Sequence, residues 1–314
     1  MEIKNIVVVG GGTMGHGIAQ TYAGNGYKTT LVDVKPEALE IAKKLVNSSV
    51  KTMLDADFIT EEQAKAVEAN LFYTTDISVA GDADLVVEAV PEDPDLKSSI
   101  FAKLDSICRK DTILTSTTSA MNIYEFVKVS NIGRLLIAHW CNPPHILPLV
   151  EIVAGPETDP EVVAAMRKLL EGMGKSPVVL KEPVPGFIIN RLNLALMREC
   201  SYMVEQGWVS PEDVDIAYCC NQGMKAPFEG PLKMMDFIGW DIGCMAGMFL
   251  YPSISNATEV GPLALQMLDE ERLGVKVGRG LYDYSGKTIE EIQQAREARV
   301  LEVVKLARKL KAEK

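Results

Sequence analysis

Along residues 3–181, short runs of almost unbroken apolar residues alternate with amphipathic stretches. The runs are IKNIVVVG, KTTLVDV, ADLVVEAV, DTILTSTT and RLLIAHW, followed by PLVEIV and PVVL. Branched apolar residues without polar alternation suit strands covered on both faces, as in a parallel sheet. The segments between them carry helix signals. Pro36 precedes an amphipathic stretch at 37–54, and Thr60-x-x-Gln63 forms a capping box that opens a helix over 60–68. Strands alternating with helices predict a doubly wound sheet. At PVPGF, residues 183–187, the pattern changes and helical periodicity takes over. Ile188, Leu192, Ala195, Leu196 and Met203 share one face of a helix. Ser210-Pro211 and Thr288-x-x-Glu291 each start another. The chain is therefore expected to fold as an α/β domain over 1–182 followed by an all-α domain over 183–314.

Chemistry enters at the end of the first strand. Gly10-Gly11-Gly12-Thr13-Met14-Gly15 fits G-x-G-x-x-G, follows a strand, opens a helix, and is followed by Asp33 at the end of the next strand. In that context the motif predicts a Rossmann-type dinucleotide site. Gly10 permits the tight turn, Gly12 admits a pyrophosphate to the backbone, and Gly15 lets helix and strand pack closely. Thr13 and Met14 complete the phosphate-facing turn at a helix N-terminus. Asp33 selects NAD over NADP. Its carboxylate accepts from ribose hydroxyls but repels a 2′-phosphate, by roughly 1 kcal/mol at about 4 Å in water and about 4 at an effective dielectric near 20. A second phosphate-like string, Gly172-Met173-Gly174-Lys175-Ser176, has Leu169 where a P-loop needs glycine, and predicts a helix end running into the PVVL strand.

Composition narrows the partners. The net charge of −11 disfavours nucleic acid, which needs a basic face. No apolar run approaches the ~20 residues of a membrane span, and the N-terminus shows no signal peptide. Cysteines 108, 141, 200, 219, 220 and 244 lack CxxC spacing, so no metal site is expected, and inert thiols in a reducing cytoplasm are.

Two of the three histidines lie in one segment, LLIAHWCNPPHILPLVE, residues 135–151. His139 ends a strand, where parallel sheets open onto their ligand crevice. The Asn142-Pro143-Pro144 turn then returns the chain as a strand carrying Glu151. A carboxylate accepting from one ring N–H fixes the tautomer and raises the basicity of the other nitrogen, as a general base requires. His145 has no such partner and is expected to be a turn residue. His16 is expected to pack near the cofactor without a catalytic role.

Taken with VVGGGTMGHGIAQ, DLVVEAVPED and Lys97 beyond it, STTSAM, AHWCNPP, LVEIV, PGFIINRL, GPLKMMDFIG and GVKVGRGLYDY, the chain resembles the L-3-hydroxyacyl-CoA dehydrogenase family over nearly its full length. The resemblance implies His139 as base and Glu151 as its orienting acid, with Ser119 and Asn190 holding the substrate oxygens. It places Glu92, Lys97 and Asn142 on the cofactor side, and implies a homodimer formed through the helical domain. Asn190 also lies off the apolar stripe of its own helix. The implied activity is NAD-dependent oxidation of a short-chain L-3-hydroxyacyl-CoA, such as 3-hydroxybutyryl-CoA, within fatty acid metabolism. Lys43, Lys44 and Lys51 with Ser49 are the candidates to meet the 3′-phosphate of CoA, but Asp55, Asp57, Glu61 and Glu62 follow them. An alternative stands beside it. NPPHILPLVE is more similar to the lambda-crystallin and L-gulonate 3-dehydrogenase branch, or to carnitine dehydrogenase, whose substrates are free β-hydroxy acids. An NAD(H)-binding structural or sensor protein is the alternative of another class, and an intact His139–Glu151 pair argues against it.

Overall fold

A computed structural model describes residues 2–312. It divides into two compact units, Met1–Asn190 and Arg191–Lys314. The passage from one to the other falls just inside a helix, a few residues beyond the PVPGF segment.

The first unit runs β1 (Asn5–Val9), α1 (Gly15–Gly24), β2 (Lys28–Val32), α2 (Pro36–Asp55), α3 (Glu61–Asn70), β3 (Leu71–Thr74), β4 (Leu85–Glu88), α4 (Pro94–Ile107), β5 (Ile113–Ser116), β6 (Leu135–Trp140), β7 (Leu149–Val153), α5 (Pro160–Gly172) and β8 (Ser176–Leu180). The strands form one eight-stranded sheet in the order β3-β2-β1-β4-β5-β6-β7-β8. All neighbours are parallel except β6 and β7, which run antiparallel, so β7 and β8 run opposite to the other six strands, and β7 follows β6 by a direct return. The apolar runs are unbroken because side chains alternate between two covered faces. Ile6 and Val8 of β1 join Leu85, Val87, Leu136 and Trp140 on one face. Val7 and Val9 join Val86, Leu114, Leu135 and Ile137 on the other. β3, an edge strand of four residues, follows α3 without a break, so no punctuation in the sequence signals it.

Local signals hold where caps can act. Thr60 and Gln63 make the reciprocal capping box at the start of α3. Gly174, at φ +71°, ends α5 and turns the chain into β8, so the GKS string is a helix end rather than a phosphate loop.

α6 (Ile189–Glu205) begins in the first unit and continues into the second, which adds α7 (Pro211–Lys225), α8 (Pro231–Ile238), α9 (Trp240–Leu250), α10 (Pro262–Asp269) and α11 (Ile289–Ala312). Ser210 caps α7 by accepting from the Asp213 N–H, and Thr288 with Glu291 caps α11. The Glu205 carboxylate accepts from the Leu263 N–H in the first turn of α10, where a negative charge suits the helix dipole. No residue of α6, α7, α8, α9 or α10 is buried.

The glycine turn carries the tightest steric demand in the sheet unit. A Cβ on Gly15 would overlap the Gly10 carbonyl oxygen, whereas one on Gly12 would meet nothing within 4 Å. Gly15→Ala is expected to lose about 1–3 kcal/mol or more, as overpacking against backbone does, and Gly12→Ala to unfold like the wild type. Urea titration of the two variants checks this; equal midpoints would contradict the packing described.

Candidate active site

The dinucleotide turn is built where β1 ends. Gly10 adopts φ +108°, closed to most side chains, and its N–H bonds the Val32 carbonyl at 2.7 Å. Asp33 then staples the turn. Its Oδ2 accepts from the Gly11 N–H at 2.8 Å and its Oδ1 from the Lys35 N–H at 3.0 Å. Gly12 and Thr13 are exposed. Met14, at the head of α1, caps no N–H with its side chain, and the first turn of α1 holds no acidic residue. A bare backbone at a helix N-terminus, with a carboxylate across the turn, fits the pyrophosphate and ribose of NAD.

His139 and Glu151 face each other directly in the antiparallel β6–β7 register. The imidazole Nδ1 lies 2.7 Å from Glu151 Oε2, and both side chains are buried. A carboxylate can only accept, so Nδ1 carries the proton and Nε2 is left as the basic nitrogen. The second Glu151 oxygen accepts from the Ile188 and Ile189 N–H groups at 2.8 and 3.0 Å. Burial raises the Glu151 carboxyl, but the hydrogen bonds from His139 and these two amides, with the His139 charge, outweigh it and bring the carboxyl below its ordinary range. Phe187 packs its ring 5.5 Å from His139, and its backbone takes φ +52°, the left-handed region, after Gly186 at +75°. That sharp turn starts α6 beneath Glu151. Cys141 beside the pair is inert, its thiol pushed up to about 11 by burial and by the Glu151 charge.

Ser119 and Asn190 are brought together: the Asn190 amide donates to the Ser119 carbonyl at 2.8 Å. Glu92 holds the same turn. Its Oε1 accepts from the Ser119 N–H, from Ser119 Oγ at 2.9 Å and from Thr118 Oγ1 at 3.1 Å. Burial raises the Glu92 carboxyl, and these bonds with the Lys97 charge reverse the shift to a net lowering. Lys97 itself is enclosed, with its Nζ bonded to Glu88, so any influence on a cofactor passes through Glu92. Glu88 and Thr118 escaped the sequence analysis, since a strand-end glutamate and a turn threonine carry no pattern of their own. Asn142 is exposed at the head of the turn after β6.

The other two histidines lie together, their rings 6.3 Å apart. His16 donates from Nδ1 to the Gly12 carbonyl at 2.8 Å, and burial lowers its pKa against that bond. His145 packs on Gly17, where a Cβ would lie 2.7 Å from its Nδ1, and burial pushes it down to about 3. It stays neutral at any ordinary pH. Ser49 departs from expectation. It is buried, donates to Gln20 Oε1 and lies 3.1 Å from the Val46 carbonyl, so it is not available to a phosphate at the surface.

Comparison with known proteins identifies the family. The model for the 3-hydroxyacyl-CoA dehydrogenase NAD binding domain matches residues 5–183, and that for the C-terminal domain of the same enzymes matches residues 186–284. The chain is 36% identical over 304 residues to the 5-formyl-3-hydroxy-2-methylpyridine 4-carboxylate 5-dehydrogenase of Mesorhizobium japonicum, across 96% of this chain and 97% of that one. It is 37% identical to a probable 3-hydroxybutyryl-CoA dehydrogenase of Bacillus subtilis, across 92% of this chain and 100% of the other. Lambda-crystallin of Oryctolagus cuniculus is 33% identical, across 74% of this chain and 73% of its own. Among solved structures, a 5-formyl-3-hydroxy-2-methylpyridine 4-carboxylic acid 5-dehydrogenase, described as an NAD+ dependent dismutase, superposes with a TM-score of 0.89 at 33% identity over 99% of both chains. The chain belongs to the 3-hydroxyacyl-CoA dehydrogenase family and is an NAD-dependent oxidoreductase acting on a hydroxyl-bearing carbon.

Proposed function

We propose that this protein oxidises a free hydroxy acid rather than a CoA thioester, using His139 as general base. One observation carries the choice of substrate class. A relative that spans 96% of this chain and 97% of its own, and a solved structure of the same description that superposes at 0.89, are named for a free, formyl-bearing pyridine carboxylate rather than for a CoA thioester. One feature of this chain points the same way: the cations that would meet a CoA phosphate are diluted. Lys43, Lys44 and Lys51 are exposed on α2, but Ser49 is buried between them, Asp55 ends the same helix, and Glu61 and Glu62 open α3. The CoA reading keeps the two family models and the 37% identity to the Bacillus subtilis protein.

Bound NAD+ supplies the hydride acceptor. His139 Nε2 takes the substrate hydroxyl proton, and the Glu151 carboxylate stabilises the imidazolium that results. Ser119 Oγ and the Asn190 amide hold substrate oxygens. Gly10, Gly12, Thr13, Met14 and Gly15 receive the pyrophosphate, Asp33 the adenosine ribose, and Glu92 with Asn142 the nicotinamide side. The six thiols are unpaired, as suits a reducing cytoplasm. Among the described residues no helix is long and apolar enough to cross a membrane. A second copy of the chain is the partner that the helical unit favours. Leu232, Phe237, Met248 and Phe249 are 74, 75, 73 and 83% exposed on α8 and α9, in helices with no buried residue of their own.

Three measurements test the proposal. His139→Ala is expected to cut kcat by about 10²–10⁴, roughly 3–5 kcal/mol of barrier, with NADH binding by fluorescence nearly intact; retention of half the activity would exclude His139 as base. His145→Ala is expected to cost little kcat. For the cofactor, wild type is expected to prefer NAD to NADP by roughly one to three orders of magnitude, and Asp33→Ala to narrow that gap by removing the repulsion. Equal use of both cofactors by wild type would contradict the role of Asp33. For the substrate, a panel of L-3-hydroxybutyryl-CoA, L-gulonate, carnitine and hydroxymethyl pyridinecarboxylates is expected to show kcat/KM at least about tenfold higher for a free acid, a difference of roughly 1.4 kcal/mol. Lys51→Glu should leave that rate unchanged. A CoA thioester turned over best, and weakened by Lys51→Glu, would return the enzyme to the CoA branch.

A further inference from the structure

A chain of three charged side chains lies beneath Ser119. Glu88 ends β4 with no exposed surface, and Lys97 on α4 is 1% exposed. The Lys97 ammonium donates to both Glu88 oxygens, at 2.8 and 3.1 Å, and to the Val90 carbonyl at 3.3 Å. Its distance to Glu92 Oε2 is longer, 3.5 Å. Glu88 is held in turn by the Val90 N–H at 2.8 Å and by Ser116 Oγ at 2.6 Å. Two carboxylates thus share one ammonium unequally. Glu88 takes most of it, and Glu92 keeps its Oε1 for the 118–119 turn. A buried ion pair adds little net stability over apolar packing of the same volume, so stability alone does not account for this one.

We propose that Glu88 is a positioning residue for Ser119. By anchoring Lys97, it keeps the ammonium from closing onto Glu92, and so leaves Glu92 free to hold the Ser119 N–H and hydroxyl. Without the Glu88 charge the buried ammonium has one carboxylate left within reach. It pairs with Glu92, the bonds to Ser119 are drawn off, and the turn that carries the substrate-facing hydroxyl loosens. The kinetic consequence rests on the role given to Ser119 above; the structural one does not.

Hydrogen exchange on the full, ligand-free chain separates the two. The Thr118, Ser119 and Met121 N–H groups bond Ser116 Oγ, Glu92 Oε1 and Thr118 Oγ1. In Glu88→Gln, exchange over residues 117–122 is expected to accelerate about tenfold, the value of one hydrogen bond to a charged group, while the amides of β4 and β5 keep their protection. Glu88→Gln/Lys97→Met, which removes the ammonium, is expected to restore slow exchange in the turn, and it carries the test alone if the single variant does not fold. Unchanged exchange in the single variant, faster exchange spread evenly through β4 and β5, or a turn that stays unprotected in the double variant would overturn the proposal. With the substrate that the panel identifies, Glu88→Gln is expected to raise KM about tenfold in wild type and less than about twofold in Ser119→Ala. An equal penalty in both backgrounds would also overturn it. Faster exchange in the turn with KM unchanged would uphold Glu88 as its anchor and remove Ser119 from substrate binding.

Discussion

The Glu151 carboxylate joins His139, the proposed base, to the helix that carries Asn190, the proposed substrate-facing amide. One oxygen accepts from His139 and fixes its tautomer; the other accepts from the Ile188 and Ile189 N–H groups where α6 begins. A buried carboxylate costs several kcal/mol unless its lone pairs are matched, and here three donors match them. The same bonds place Asn190, one residue farther along α6, against the Ser119 carbonyl. The orientation of the imidazole and the position of the amide therefore hang on one charge. This is why the β6–β7 pair reverses direction: only an antiparallel register sets His139 directly opposite Glu151 across a short turn.

The segment between these strands ties the base to the dinucleotide turn. His145 and Pro144 rest on Gly17, the second residue after Gly15 in the helix that the glycine turn opens. Lys175 reaches back from the end of α5 to donate to the Pro144 and Leu147 carbonyls at 2.6 and 2.9 Å and lies over the Trp140 ring. His145 is thus a packing element, held neutral by its burial. His139, the proposed base, and the glycine turn, the proposed phosphate site, are tied through one packed segment.

Ser119 is supported from the other side by charge. Glu92 bonds the turn, Lys97 steadies Glu92, and Glu88 restrains Lys97. Each of these residues follows or ends β4 or β5, or stands on α4 between them, so the arrangement sits at the carboxyl ends of adjacent parallel strands, the usual place for a ligand in such a sheet.

The sequence by itself determined the sheet with its two covered faces, the glycine turn, Asp33, and the candidacy of His139 and Glu151. Each is written in local terms: unbroken branched residues, glycines at fixed offsets, a histidine at a strand end twelve residues from a carboxylate. The capping residues Thr60, Ser210 and Thr288 were legible for the same reason, since a cap acts within one helical turn. The edge strand β3 was not, because four residues without a breaker give no periodicity to detect. Tertiary structure decided what depends on partners far apart in the chain. It buried Ser49 against Gln20 and took it from the surface, enclosed Lys97 with Glu88, and turned the second oxygen of Glu151 toward α6. A side chain's type limits which bonds it can make, but which groups stand within 3 Å of it is set by how distant segments pack, and no local pattern carries that.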